Sequence, residues 1–306
     1  MASIIKFYET GYNPNNLTIQ WNLGNVCNYQ CEYCPKILHI GNRPWVEIEL
    51  IKQTLLKIKE TFPLKKIRAE FLGGEITLYK DFLNLIKFCS ENQINNLVFS
   101  NASRSIRYWE TILNYLDEII LTFHPQTASK EHFDKLINLL VLKNKKVYVH
   151  IAMQDLKFQE LIEYGNYLKK NYPSISISMT LMMDKERNKN FNGYFYNYSS
   201  TEINSVSKKN YSNESYVLEN DELKTTYTLN EIKKLNLNSF KGFTCGEDNN
   251  MINIDYFGNA TTKLCRQKSS INIYTTDILS LFSPHVCQSD LCTNPADLRI
   301  IKIKKQ

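Results

Sequence analysis

The sequence predicts an α/β protein built on parallel strands, on two observations. Between Leu17 and about Met183, short runs rich in β-branched and aromatic residues alternate with stretches whose apolar residues recur every three or four positions. Repeated strand–helix units of this length imply parallel strands with right-handed crossovers. TIQWNL reads as the first strand and ends just before a cysteine-rich loop, and Ile48, Ile51, Leu55, Ile58 and Phe62 mark the helix that follows. IRAEFL is the second strand and runs into Gly73-Gly74-Glu75, with Phe82, Leu85, Ile86 and Cys89 marking the next helix. NLVFS is the third strand, followed by a helix around Ile106 to Leu116. EIILTF is the fourth and ends at His124-Pro125, and Phe133, Leu136, Ile137 and Leu140 define its helix. KVYVHIAM is the fifth, LIEYGNYLKK its helix, and SISISMTLM the sixth. From about Asp184 to Asn213 the composition turns to Asn, Ser, Tyr and Lys, which reads as a polar insertion or linker. YVLENDELKTTYTL is hairpin-like, and four cysteines follow it. The expected domains are 1–183, the insertion 184–213, and 214–306.

Bulk numbers narrow the function. A chain of 306 residues with 43% hydrophobic and 22% charged residues suits one barrel-sized domain plus an appendage. The net charge of +6 is spread out, and the basic tail IIKIKKQ reads as solvated and too short for a nucleic-acid site. No apolar run approaches the roughly 18 residues of a membrane span, and MASIIKFYETGY lacks the parts of a signal peptide. The expectation is a cytoplasmic protein without nucleic-acid or membrane partners, whose eight cysteines serve metal ligation rather than disulfides.

Cys27, Cys31 and Cys34 stand at the spacing C-x3-C-x2-C in VCNYQCEYCP. Three thiolates on one short loop can hold three irons of a [4Fe–4S] cube and leave the fourth iron open. The bland alternatives are a zinc knuckle completed by His39 or three unrelated buried thiols. The arrangement resembles the signature of the radical S-adenosylmethionine (SAM) superfamily. That resemblance implies a partial (β/α)6 TIM-like barrel, a [4Fe–4S] cluster on the three cysteines, and SAM as a second cofactor. It also implies an external one-electron reductant such as flavodoxin or ferredoxin. Tyr33, the aromatic residue before the last cysteine, would pack near the adenine.

In barrels of parallel strands chemistry collects at the C-terminal strand ends. Gly73 and Gly74 let the backbone approach a ligand closely, and the Glu75 carboxylate can accept from an ammonium; the resemblance makes this the segment that holds the methionyl amino group. Ser100 and Asn101 end the third strand, at a position the superfamily uses for the SAM ribose or carboxylate, while Ser103 can cap the next helix. Thr122 and His124 end the fourth strand and would point at the barrel mouth. His124 reads as a fixed polar contact or as a proton relay, the expected catalytic base; a histidine bonded to loop backbone is the alternative. His150 lies in an alternating strand, and since either side could face the lumen, a functional and a core reading stand equal. Met153 and Gln154 are candidates for SAM or substrate contact. Cys89 belongs to an apolar helix face and reads as a small hydrophobe.

The second signal is Cys245, Cys265, Cys287 and Cys292. Between the first two, CGEDNNMINIDYFGNATTKLC reads as a Cys-Gly turn and a hairpin with Asp255 and Gly258 near its tip. Four thiolates serve zinc or a closed iron–sulfur cluster equally well. The segment resembles the twitch domain, a shortened SPASM-like α+β module, and this resemblance implies a second [4Fe–4S] cluster with no open iron. Such a cluster can move one electron but cannot bind substrate, which favours net oxidation of a small polar substrate such as a sugar or aminocyclitol. Epimerisation or cross-linking of a ribosomal peptide is the rival. With only some sixteen residues before the first strand, no N-terminal leader-binding module is expected. A non-catalytic electron carrier is the remote alternative, which the joint presence of the cysteine loop and Gly-Gly-Glu opposes.

Overall fold

The structure is a computed structural model that describes residues 4–9, 13–183, 194–209, 215–220, 223–228, 231–232, 235–245, 250–262, 270–282, 285–292, 295–298 and 300–305. In chain order its elements begin with β1 (Ile4–Glu9), β2 (Asn16–Asn22), α1 (Ile48–Thr61), β3 (Lys66–Leu72), α2 (Phe82–Glu91), β4 (Asn95–Ser100) and α3 (Ile106–Ile112). They continue with β5 (Glu118–Phe123), α4 (Lys130–Leu142), β6 (Lys146–Met153), α5 (Phe158–Asn171), β7 (Ser176–Leu181) and α6 (Ser200–Lys209). The C-terminal part adds β8 (Ser215–Asn220), β9 (Leu223–Thr228), β10 (Thr244–Cys245), β11 (Met251–Ile254), β12 (Asn259–Thr261), β13 (Ile271–Asn272), β14 (His285–Val286), α7 (Pro295–Leu298) and β15 (Lys302–Lys305). The chain divides into two compact units.

One unit holds residues 22–48 and 70–212. Here β4, β5, β6 and β7 pair in sequence order and all in parallel. Their register sets Thr122 opposite His150, and His150 opposite Ser178. Side chains alternate across a strand, and β5 and β6 show it. Ile119, Leu121, Val147, Val149 and Ile151 are buried, while Ile120, Thr122, Tyr148 and His150 are half-buried on the opposite face. His150 therefore lies on the same face as Thr122. The crossover helices bury the residues that the periodicity marked: Phe82, Leu85, Ile86 and Cys89 on α2, and Phe133, Leu136, Ile137 and Leu140 on α4. The cap of α3 differs from expectation. Ser105, not Ser103, precedes the helix and accepts from the Tyr108 amide, while the Ser103 amide donates to the Asn101 side chain.

The described part of the Asn- and Tyr-rich stretch belongs to this unit and is structured. Its helix α6 starts with a capping box, in which Ser199 Oγ accepts from the Glu202 amide and Glu202 accepts from the Ser199 amide. Tyr198 donates to the Met153 carbonyl at 2.7 Å and accepts from the Met182 amide.

The other unit holds 1–21, 49–69 and 213–306. β11 pairs in parallel with β2, and β12 folds back on β11 around Asp255, whose carboxylate accepts from the Phe257 and Asn259 amides. A six-stranded sheet runs β14-β10-β15-β1-β8-β9, over a core of Phe7, Tyr216, Ile232, Phe240 and Leu298. Two expectations change here. The first strand is β1, which lies ahead of TIQWNL. The tail read as solvated is β15, paired with β1 on one side and β10 on the other, and its Lys302 is only 2% exposed. The tail reads as free because four of its last seven residues are polar, yet the flanking strands bury Lys302 among them. Among the described residues no helix is long and apolar enough to cross a membrane.

Candidate active site

The three N-terminal cysteines, Gly73 to Glu75, and the ends of β4, β5 and β6 all lie in the unit of residues 22–48 and 70–212. The cysteine loop is laid onto the Gly-Gly turn by its backbone. The Leu23 amide donates to the Leu72 carbonyl at 2.9 Å, and the Glu75 amide donates to the Val26 carbonyl at 2.8 Å. Gly73 has φ +123° and Gly74 φ +50°, and a Cβ on Gly74 would stand 2.1 Å from the Val26 oxygen. The close approach these glycines permit is thus to the backbone leading into the cysteines.

Asn25 fixes the far side of the loop. It is buried, donates to the Ile37 carbonyl and the Asn42 side chain, and accepts from the Arg43 amide. Sequence reasoning passed over it; an Asn two positions before the first cysteine was the available signal. Inside the loop, Cys27 Sγ accepts from the Tyr29 amide at 3.4 Å and from Asn101 Nδ2 at 3.8 Å. Burial pushes the Cys27 and Cys31 thiols up, so they stay protonated unless a cation holds them as thiolates.

Glu75 is wholly buried. Its carboxylate accepts from the Thr77 amide and hydroxyl, from Ser100 Oγ at 2.9 Å, and from the Asn101 amide at 2.6 Å. Burial raises its carboxyl above the usual range, against the pull of these hydrogen bonds. The side chain therefore ties the Gly-Gly turn to the end of β4. Asn101 in turn donates to Asn28, back in the cysteine loop, at 3.0 Å.

His124 sits against the same loop. Its Nδ1 lies 2.5 Å from the Tyr33 hydroxyl and 3.5 Å from Cys31 Sγ, with the Tyr33 ring stacked nearly parallel and the Tyr29 ring edge-on. Burial pushes the imidazole down to about 4, so it is neutral near pH 7. A ring of polar contacts that the sequence did not reveal flanks Tyr33. Tyr196 donates to Glu32 at 2.8 Å, and Gln126 joins the Glu32 amide to the Tyr196 hydroxyl.

Thr122 is half-buried at the end of β5, on the side shared with His150. Met153 is wholly buried with its carbonyl taken by Tyr198, whereas the neighbouring Gln154 Oε1 is buried with no hydrogen-bond partner among the described residues. Cys89 is wholly buried on α2, its thiol pushed up to about 12.

The second cysteine group lies in the other unit. Cys245 on β10 is opposite His285 on β14 and Lys302 on β15. The Cys287 amide donates to the Phe243 carbonyl, and Cys292 exchanges hydrogen bonds with Asn238. Burial pushes the Cys292 thiol up to about 11. Cys265 lies outside the described residues. None of the seven described cysteines is in a disulfide. Among the described residues no three His, Cys, Asp or Glu side chains close on one point, as a single tetrahedral ion with bonds of about 2.3 Å would require. Thiols that a cubane cluster separates across several irons need no such convergence.

Residues 21–192 match the profile of the Radical SAM superfamily. Among curated proteins, an S-adenosylmethionine-dependent nucleotide dehydratase of Fibrobacter sp. (strain UWH6) is 21% identical over 178 residues, covering 56% of this chain. The match takes in 49% of that relative, so the chain spans about half its length. Among solved structures, Streptococcus suis SuiB bound to precursor peptide SuiA superposes with a TM-score of 0.57 at 14% identity, over 89% of this chain and 65% of SuiB. Native anSMEcpe with bound AdoMet gives 0.58 at 13% identity, over 87% of this chain and 80% of that one. At such identities the likeness shows a shared fold, the partial TIM-like α/β barrel.

Proposed function

Because the chain belongs to the radical SAM superfamily, we propose that Cys27, Cys31 and Cys34 ligate its [4Fe–4S] cluster and that the strand ends around them hold SAM. When bound, these cofactors supply reductive cleavage of SAM to methionine and a 5′-deoxyadenosyl radical that takes hydrogen from a substrate carbon. The observation that carries the reading is the seating of the three-thiol loop on the Gly73-Gly74 backbone, within the same unit as the ends of β4, β5 and β6.

The chain's own residues divide the work. Gly73 and Gly74 set the turn facing the methionyl end of SAM, and Glu75, already holding Thr77, Ser100 and Asn101, braces that turn against β4. Ser100, Asn101, Thr122 and Met153 are the remaining candidates for SAM contacts, and Tyr33 for the adenine. Of the readings open for His124, the contacts with Tyr33 and Cys31 favour a fixed polar contact that positions Tyr33.

For the net reaction we propose oxidation of a small polar substrate, with Cys245, Cys265, Cys287 and Cys292 holding a second, closed [4Fe–4S] cluster that accepts an electron. Cys89 is the one thiol outside the two groups and is wholly buried on a helix, which suits neither hydrogen-atom return nor epimerisation. The half-buried row of Thr122, His150 and Ser178 offers a polar surface for such a substrate. The nucleotide dehydratase relative supports a second reading, loss of water from a nucleotide without net oxidation.

The test is anaerobic incubation of reconstituted, reduced protein with SAM and, separately, sugars or aminocyclitols, nucleotides, and peptides. Stimulated 5′-deoxyadenosine with a sugar or aminocyclitol product two hydrogens lighter supports oxidation of a small substrate, whereas a peptide two hydrogens lighter supports cross-linking. A product lighter by one water supports dehydration, and an altered peptide of unchanged mass supports epimerisation.

A further inference from the structure

Lys302 is a buried lysine whose ammonium forms no ion pair among the described residues. Its ammonium donates to the carbonyls of Asp297 and Ile300, two of the three N–H bonds it can offer. Nζ lies over two aromatic rings, 4.9 Å from the Phe240 centroid and 5.8 Å from that of Phe7. Strand register puts Lys302 directly opposite Cys245 on one side and Phe7 on the other. Cys287 and Cys292 pack against the same aromatic core. A buried charge costs several kcal/mol unless something compensates it, and two carbonyl dipoles with two ring faces offset only part of that. Burial pulls the Lys302 ammonium below the usual lysine range, and Cys245, Cys292, Asp297 and Cys287, where ionised, pull the other way.

We propose that Lys302 is the counter-charge of the group held by Cys245, Cys265, Cys287 and Cys292, and that it raises the reduction potential of a cluster bound there. This rests on the second-cluster reading above. Four thiolates around a [4Fe–4S] cube leave a net negative group, which gains a further charge on reduction. A fixed cation beside it stabilises the reduced state more than the oxidised one, so the site accepts an electron more readily.

The experiment uses the full chain carrying Cys27→Ala, Cys31→Ala and Cys34→Ala, so that only the second site can hold iron, reconstituted anaerobically. Iron and sulfide are counted, and an EPR-monitored redox titration compares Lys302 with K302M and K302R. The expected result is equal iron in all three and at least a tenfold shift of the redox equilibrium toward the oxidised state in K302M, 59 mV lower for one electron, with K302R close to Lys302. No iron in the parent variant overturns the second-cluster reading itself. A cluster whose potential is unchanged in K302M overturns the role of Lys302 and leaves that reading intact. K302Q serves as a second neutral variant. If both neutral variants fail to fold while K302R folds, the charge is structural and the tuning role falls.

Discussion

Cys27, Cys31 and Cys34 come from one short loop, whereas Cys245, Cys287 and Cys292 come from separate segments tied in by strands that pair across the chain. In the first group a single Asn25 closes the loop from Ile37 to Arg43, and two glycines with positive φ take the loop's backbone against theirs. In the second group, β10 is held between β14 and β15, and β15 is held by β1 at the opposite end of the sequence. The local group carries its chemistry as a readable motif; the distributed one acquires its environment, Lys302 included, only through long-range pairing. Loss of a short-range contact should therefore injure the first site alone, while the second should feel changes at either chain end.

The largest expected effect is chemical. Reconstituted protein should hold roughly eight iron and eight sulfide, and the triple replacement of Cys27, Cys31 and Cys34 by Ala should abolish 5′-deoxyadenosine while keeping about half the iron. Complete loss of iron would overturn the second cluster.

Gly74→Ala comes next. The added Cβ meets the Val26 oxygen at 2.1 Å in a left-handed conformation, and overpacking plus the positive φ should cost about 3–5 kcal/mol in a denaturant melt. A change under about 1 kcal/mol would show that the loop does not depend on this approach.

Glu75→Ala leaves the Ser100, Thr77 and Asn101 donors facing a void. The loss should be about 2–3 kcal/mol, with SAM affinity by calorimetry falling as the turn loosens, and Glu75→Gln should recover part of both. Unaltered SAM affinity in a folded Glu75→Ala protein would remove Glu75 from the SAM site.

The smallest effect belongs to the distributed region. Tyr8 on β1 donates to Glu219 on β8, and burial and that carboxylate push its hydroxyl up to about 12 from an ordinary 10. The unfolded chain releases this proton first as pH rises, so the contribution is whole below about pH 10 and is lost between 10 and 12. Tyr8→Phe should make the fall in Tm between pH 9.5 and 11.5, measured by circular dichroism, less steep. An identical slope would exclude Tyr8 as a titrating group in that window.

Much of the fold was legible because its determinants repeat locally. Phe82, Leu85, Ile86 and Cys89 recur at helical spacing and form the buried face of α2, and all six strand runs from TIQWNL to SISISMTLM carry the strands that structure assigns. Other features failed for physical reasons that can be named. Ser105 caps α3 where Ser103 was expected, since either hydroxyl satisfies the rule and only the backbone decides which one precedes the first helical turn. The capping box at Ser199 and Glu202 was present in the sequence but lost in its polar surroundings.

By itself the sequence determined the parallel α/β core, the three-thiol loop, the glycines of its seat and the existence of a second cysteine group, because each is written in period or spacing over a few residues. Only the tertiary structure decided that Glu75 is sealed by four hydrogen bonds, that His124 stands against Tyr33 and Cys31, and that the Ile-Lys tail forms a strand with a buried Lys302 opposite Cys245. Those facts depend on residues far apart in the chain, and no local pattern encodes which strand will cover a lysine.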